Sequence, residues 1–379
     1  MMDFSQIPSP CYVIDEHLLL ANLELIRKTG RRADVDIIPA FKGFAGWGVF
    51  PLMRQYVKAV SASSAHEARL ASEEMKTPAH TYSPAYTDAD FDRILSCSSH
   101  VTFNSLTQYR RFYERTLRCG HSVSVGLRVN PELSQAGAAL YDPCAPGSRL
   151  GLTCEQVGAS LPAGVEGLHV HALCESPAEA TCRLMDAVET KFGHLFAAVK
   201  WINFGGGHLM TRKGYDTELL VKALQTFRKK YPHIRLILEP GAAFVWETGV
   251  LRATVEDIVR NGDVRTAILD VSFTAHMPDC LEMPYKPRIR GATDALPGKP
   301  AWRLGGNSCL AGDFTGEWSF EEEPCAGKTV VFEDMIHYTM VKTTTFNGVP
   351  HPSIGTWNNS TGFTLLKRFG YDDYKNRLS

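Results

Sequence analysis

The chain has 379 residues, 44% of them hydrophobic and 21% charged, enough apolar material for a large core and more than one domain. Its formal net charge of −1, with 13 histidines counted as neutral, leaves no basic surplus for nucleic acid or an anionic membrane surface. The N-terminal stretch MMDFSQIPSP lacks the basic and apolar regions of a signal peptide, and no uncharged apolar run approaches the roughly 18 residues of a membrane span.

In chain order, PCYVIDE (10–16) reads as a strand running into the helix LLLANLELIRK, and it suits either of two domains. Eight further strand-like segments follow: VDIIPAF (35–41), AVSASS (59–64), AHTYSPA (79–85), HVTFNS (100–105), SVSVGLRVNP (122–131), GLHVHAL (167–173), WINFGGG (201–207) and IRLILEPG (234–241). Helical periodicity fills most of the gaps, as in SAHEARLASEEM, DADFDRILSC, LTQYRRFYERTL, AEATCRLMDAVETKF and DTELLVKALQTFRKKY. Eight strands alternating with helices over residues 16–245 fit a (β/α)8 barrel of TIM type, typically about 250 residues long. A doubly wound open sheet is the competing architecture. After Gly241 the texture becomes β-rich, with an Asn-Gly turn at 261–262, so residues 1–15 and 246–379 are expected to form a second, mostly antiparallel domain. Ten cysteines without a C-x-x-C pair argue against a zinc knuckle or redox motif and suit reduced thiols in a cytoplasmic protein.

In such a barrel, chemistry sits at the carboxyl ends of the strands. Lys42 follows the first barrel strand, Arg128 and Asn130 close the fifth, His169 and His171 lie in the sixth, Gly205, Gly206 and Gly207 end the seventh, and Glu239 ends the eighth. Lys42 is the only charged residue from Ile37 to Met53. Snorkelling to water is the ordinary fate of a lysine, but apolar flanks and a rim position favour a desolvated amine able to condense with an aldehyde. FGGGH (204–208) offers backbone N–H groups suited to a phosphate, although glycines also make plain turns. A phosphate-bearing aldehyde unites the two, and pyridoxal 5′-phosphate (PLP) is one. Glu239 would keep its pyridine nitrogen protonated, the alternative being a structural ion pair. His169 would lie over the ring or simply be a satisfied core residue. The pair His169 and His171 shares one strand face, but no third ligand follows at zinc spacing.

In the second domain GGNSCLAGDFTGEW carries Cys309 and Asp313, and HYTMVKTTTFNG carries Tyr338. A small buried hydrophobe is the ordinary reading of Cys309. Asp279 and Glu282 sit in AHMPDCLEMPY, where a solvated loop explains them equally well.

KGFAGWGVFP, ASSAHEARL, YDPCAPGSRLG, GLHVHALCE, NFGGGH, LDVSFTAHMPD and HYTMVKTTTFNG together resemble the fold-type III PLP decarboxylases, the ornithine and diaminopimelate decarboxylase group with an alanine racemase-like fold. Within that group the resemblance is to the carboxynorspermidine/carboxyspermidine decarboxylase family, and it covers nearly the whole chain. It implies that Lys42 holds PLP as an imine, His169 stacks on the ring, Gly205–Gly207 and Gly241 bind the cofactor, Glu239 meets the pyridinium, and Tyr338 lies near the phosphate. It further implies a head-to-tail homodimer in which Cys309 acts across the interface to protonate the carbanion. A polyamine tail would call for acidic groups, with Asp313 first and Glu175, Asp279 and Glu282 behind it. Three departures stand out: Ala242 replaces the arginine or glutamate that follows EPG in relatives, Leu310 replaces an acidic residue after the cysteine, and Phe41 replaces leucine before the lysine. Decarboxylation of diaminopimelate, ornithine or arginine, and a non-catalytic PLP-carrying role, remain the alternatives.

Overall fold

A computed structural model of the chain describes residues 2–135, 137, 139–282 and 285–379. It divides into two compact units, Ala21–Phe244, and Met1–Leu20 with Val245–Ser379.

The first strand, β1 (Cys11–Asp15), belongs to the discontinuous unit. The continuous unit holds eight: β2 (Asp36–Ile37), β3 (Val60–Ala62), β4 (Ala79–Tyr82), β5 (Ser98–Phe103), β6 (Ser124–Arg128), β7 (Val165–His169), β8 (Trp201–Asn203) and β9 (Arg235–Leu238). All pairings are parallel, in the order β2-β9-β8-β7-β6-β5-β4-β3. The two ends of that order meet at a parallel bridge between Ala40 and Ser61, where Phe41 N–H donates to Ser61 O (3.0 Å) and Ser61 N–H to Pro39 O (2.8 Å). The sheet is therefore the expected eight-stranded parallel barrel, and the open-sheet alternative is excluded.

The helices between strands begin where the sequence supplies an oxygen for an orphan N–H. Ser64, Thr87, Ser105 and Asp216 each accept from the backbone three residues on, opening Ala65–Leu70, Asp88–Cys97, Leu106–Leu117 and Thr217–Lys230. Their apolar faces bury residues such as Phe91, Phe112, Leu224 and Phe227. The segment WGVFPLMRQYV, although its apolar residues recur with helical spacing, forms only a 3-10 turn (Trp47–Val49) and one α-turn (Phe50–Met53).

Inside the barrel the packing is set by one indole. Trp201 is 4% exposed, its Nε1–H donates to Ser124 Oγ (2.8 Å), and it packs with Ile38, Ala59 and Ile237. Room for it comes from two strand glycines. A Cβ at Gly126 would lie 2.3 Å from Trp201 Cη2, and one at Gly167 would lie 2.1 Å from its Cδ2. His80 and His100 lie close together, ring centroids 3.9 Å apart and planes tilted by 36°, and burial holds both neutral, with pKa values lowered to about 3 and about 4.

The other unit is a nine-stranded sheet: β12-β14-β13-β11-β10-β1-β16-β17, with β15 also on β10. Its remaining strands are β10 (Gly249–Asn261), β11 (Val264–Leu269), β12 (Ala292–Asp294), β13 (Trp302–Gly305), β14 (Phe314–Phe320), β15 (Thr329–Glu333), β16 (Ser353–Asn358) and β17 (Gly362–Lys367). Pairing is antiparallel except for β1 with β16 and β11 with β13. The hairpin β10–β11 turns at Gly262, whose φ of +57° only glycine adopts without cost. Strand β1 joins this sheet, with Cys11 and Val13 buried against Val250, Val331 and Trp357.

Gly167→Ala should lower stability by about 3 kcal/mol, because Trp201 has no free volume into which it can retreat. Gly120→Ala, with nothing within 4 Å of the added carbon, should change urea unfolding little.

Candidate active site

Successive side chains on a strand point to opposite faces. Counting by twos along the barrel strands gives Ala40 and Lys42; Ser61 and Ser63; Tyr82 and Pro84; Arg128; His169 and His171; and Glu239. These residues, with Gly206, line a single cleft of about 310 Å³, completed by Leu140–Pro143, Arg149 and Leu150. The volume is at the small end for a cofactor or drug-sized ligand.

Lys42 stays open to solvent through the mouth of the cleft while protein closes around the rest of its side chain. Burial lowers its pKa, the neighbouring positive charge of Arg128 adds to this, and Glu239, Cys174 and Glu67 oppose it. Its Nζ lies 3.1 Å from His171 Nε2. Gly43 explains how the lysine comes this close to the end of β9, since a Cβ at 43 would sit 2.9 Å from Gly241 Cα.

Glu239 is 7% exposed, and burial by itself would raise its pKa. Two hydrogen bonds reverse that. His169 Nε2–H donates to Oε2 (3.2 Å) and the Asn203 amide to Oε1 (2.7 Å); with His80 nearby they bring the pKa down to about 2. His169 itself is held neutral by burial, and its Nδ1 has no hydrogen-bond partner. The Tyr82 ring stacks on His169 at 5.3 Å, and its hydroxyl donates to Asn104 Oδ1 (2.9 Å). On Tyr82 rests the Arg128 guanidinium, 4.6 Å from the ring centroid, with Nη2 donating to His171 O (3.0 Å).

The glycine run is shaped by packing as well. Gly205 and Gly207 have φ of +68° and +93°, and a Cβ there would fall 2.6 Å from Val170 O and 2.3 Å from the Leu173 carbonyl carbon. Two of its N–H groups have partners inside the barrel, Gly205 donating to Asn203 Oδ1 (2.8 Å) and Gly206 to His171 Nδ1 (3.0 Å).

Lys42, His169, Glu239 and Gly206 thus meet at one cleft. Glu175 is exposed, with φ of +42°, and is not among the cleft-lining residues. Gly241 precedes the short helix Ala242–Val245. Cys309, Tyr338, Asp313, Asp279 and Glu282 belong to the other unit. There Cys309 is exposed, with its N–H on Asn347 Oδ1 (2.8 Å), and Tyr338 opens the helix Tyr338–Val341. Both Asp313 oxygens accept backbone N–H groups, from Thr274 (3.0 Å) and Ser308 (3.1 Å). Asp279 accepts from Tyr285 and Thr339 hydroxyls at 2.9 and 2.8 Å, leaving Oδ1 buried and unpartnered, and Glu282 pairs with Lys342. Sequence reasoning did not single out Tyr82, Asn203 or Ser63. A period-two count along their own strands, from Ser61 to Ser63, His80 to Tyr82 and Trp201 to Asn203, is the signal that finds them.

No family model matches the chain. A carboxyaminopropylagmatine decarboxylase from Synechocystis is 47% identical over 99% of this chain and 96% of its own length. A carboxynorspermidine/carboxyspermidine decarboxylase from Campylobacter jejuni is 39% identical over 99% of this chain and all of its own. The crystal structure of C. jejuni carboxynorspermidine decarboxylase complexed with norspermidine superposes with a TM-score of 0.90 at 38% identity, covering 98% of this chain and 100% of that one. With a barrel, a second sheet and this sequence agreement along its whole length, the chain belongs to the carboxynorspermidine/carboxyspermidine decarboxylase family of fold-type III decarboxylases.

Proposed function

We propose that this chain removes the α-carboxylate of carboxynorspermidine or carboxyspermidine, with PLP as cofactor, in polyamine biosynthesis. The observation that carries the reading is the pairing, in one cleft, of a lysine amine with lowered pKa and a buried carboxylate that two neutral donors keep ionised. The residues suit the cofactor: Lys42 is an amine for its aldehyde, Glu239 a fixed negative charge for its pyridinium, and His169 and Tyr82 offer flat apolar surface between them.

When bound, PLP supplies the electrophilic carbon and the conjugated cation that accepts the electron pair released as the bond from Cα to the carboxylate breaks. Glu239 would favour a proton on a ring nitrogen held against it, because neutralising so stabilised a carboxylate is costly. Arg128 pairs with no carboxylate among the described residues, so it brings uncompensated positive charge for an anion in the cleft. Cys309 of the partner subunit would donate its thiol proton to Cα after CO2 leaves, in a head-to-tail homodimer. Of the acids proposed for the polyamine tail, Asp279 keeps a carboxylate oxygen without a partner, whereas both Asp313 oxygens accept backbone N–H groups, from Thr274 and Ser308. No helix is long and apolar enough to cross a membrane among the described residues, and a cytoplasmic location is part of this proposal.

A second reading has its own support. The relative named for carboxyaminopropylagmatine is more similar (47% against 39%), and that compound ends in a guanidinium instead of an ammonium. Measuring CO2 release from the three polyamine substrates, with diaminopimelate, ornithine and arginine alongside, decides the matter. A tenfold or greater preference for the guanidinium compound selects the second reading, and release from none of the three polyamines rejects both.

Lys42→Ala should abolish both turnover and the visible band that borohydride bleaches in the wild type, and peptide mapping of the reduced protein should find the cofactor on Lys42. Glu239→Arg should cut decarboxylation by at least a hundredfold while cofactor remains bound, read from single-turnover CO2 release.

A further inference from the structure

The tautomer of His171 is fixed by its surroundings. Gly206 N–H is a backbone donor and cannot accept, so His171 Nδ1, 3.0 Å away, carries no proton. Burial, the largest cause, reinforced by the positive charge of Arg128, keeps the ring from becoming cationic, so its single hydrogen is on Nε2. That atom is 3.1 Å from Lys42 Nζ. An ammonium there would set donor against donor; a neutral amine offers the lone pair that accepts Nε2–H.

We infer that His171 is a positioning residue that selects the neutral amine of Lys42 before any carbonyl compound arrives, through the chain Gly206 N–H to Nδ1 and Nε2–H to Nζ. The inference deepens the proposed function and rests on Lys42 being the carbonyl-capturing amine. Its chemical use follows from the balance of imine formation. The lone pair makes the C–N bond, and the two amine hydrogens leave with the carbonyl oxygen as water. An ammonium would have to shed a third proton first, at a place where the neighbouring histidine has no vacant site to take it.

Around Lys42 the charged or titratable groups include Arg128 from β6, His169 from β7, Cys174 beyond it, Glu239 after β9, Tyr82 from β4 and Glu67 on the helix Ala65–Leu70, and Tyr141, Asp142 and Arg149 line the same cleft. Arg128 acts in the same direction as His171; the carboxylates act against both. Glu67 is itself drawn toward the neutral form by burial, which limits its pull.

The test uses full-length cofactor-free protein and formaldehyde with cyanoborohydride, reading methylation of Lys42 by peptide mass spectrometry from pH 6 to 10. Lys42 should react with a midpoint at least one pH unit below the surface lysines of the same digest. His171→Phe should raise that midpoint by about one unit, a tenfold slower reaction at pH 7. His171→Gln, whose amide can still accept from Gly206 and donate to Nζ, should stay near wild type. Equal midpoints for wild type and His171→Phe, or a wild-type Lys42 titrating with surface lysines, overturns the inference. Should His171→Phe not fold, histidine 15N spectra decide: the signal lost in His171→Gln must be a neutral Nε2–H tautomer at pH 7, and an Nδ1–H tautomer or a cation refutes it. Failure of the parent proposal looks different, as Lys42 would then carry no borohydride-fixed PLP whatever its midpoint.

Discussion

The alternation of side chains along eight parallel strands is the constraint from which the site follows. A barrel interior admits only every second residue, so a strand that reaches the space above the packed core contributes one or two side chains to it. In this chain those places hold Lys42, Ser63, Tyr82, Arg128, His169, His171 and Glu239. Several hold one another: His171 meets Lys42 and carries Arg128 on its carbonyl oxygen, and His169 meets both Glu239 and the Tyr82 ring. Asn203 shows the economy of this: its amide holds Glu239 ionised while its carbonyl oxygen takes Gly205 N–H, so one side chain fixes both the carboxylate and the turn beside it.

Charge in the cleft is arranged by burial, with short hydrogen bonds deciding the outcome where burial alone would misplace it. Burial favours the neutral form of everything it covers. For Lys42, His169 and His171 that preference stands. For Glu239 it is overturned by His169 and Asn203. An amine pushed toward its neutral form and a charged carboxylate thus share one small volume, each displaced by a different cause.

The barrel was legible because its strands are bounded by turn residues and its helices by Thr87, Ser105 and other caps or, before Ala178, by a proline; DADFDRILSC, LTQYRRFYERTL and AEATCRLMDAVETKF coincide with helices in the structure to the residue. Lys42 and Glu239 were legible because a charge amid apolar residues demands an explanation. The division of labour between the two histidines was not. Both point inward from β7 and its extension, and two residues of strand, roughly 6.6 Å, separate them. That rise alone sends His169 to Glu239 and His171 to Lys42, and no composition or spacing in GLHVHAL encodes it. Likewise, three consecutive glycines announce a backbone under steric constraint, but which N–H groups stay available depends on the rotamer of nearby Asn203 and on His171, 35 residues away in sequence.

The indole of Trp201, lodged over Gly126 and Gly167, has a bearing on traffic. With the lumen stoppered beneath the reactive groups, the barrel is a cup and not a pipe. Reactants and products must share its rim, so the order in which a small gas and a long cation depart is governed by that common passage.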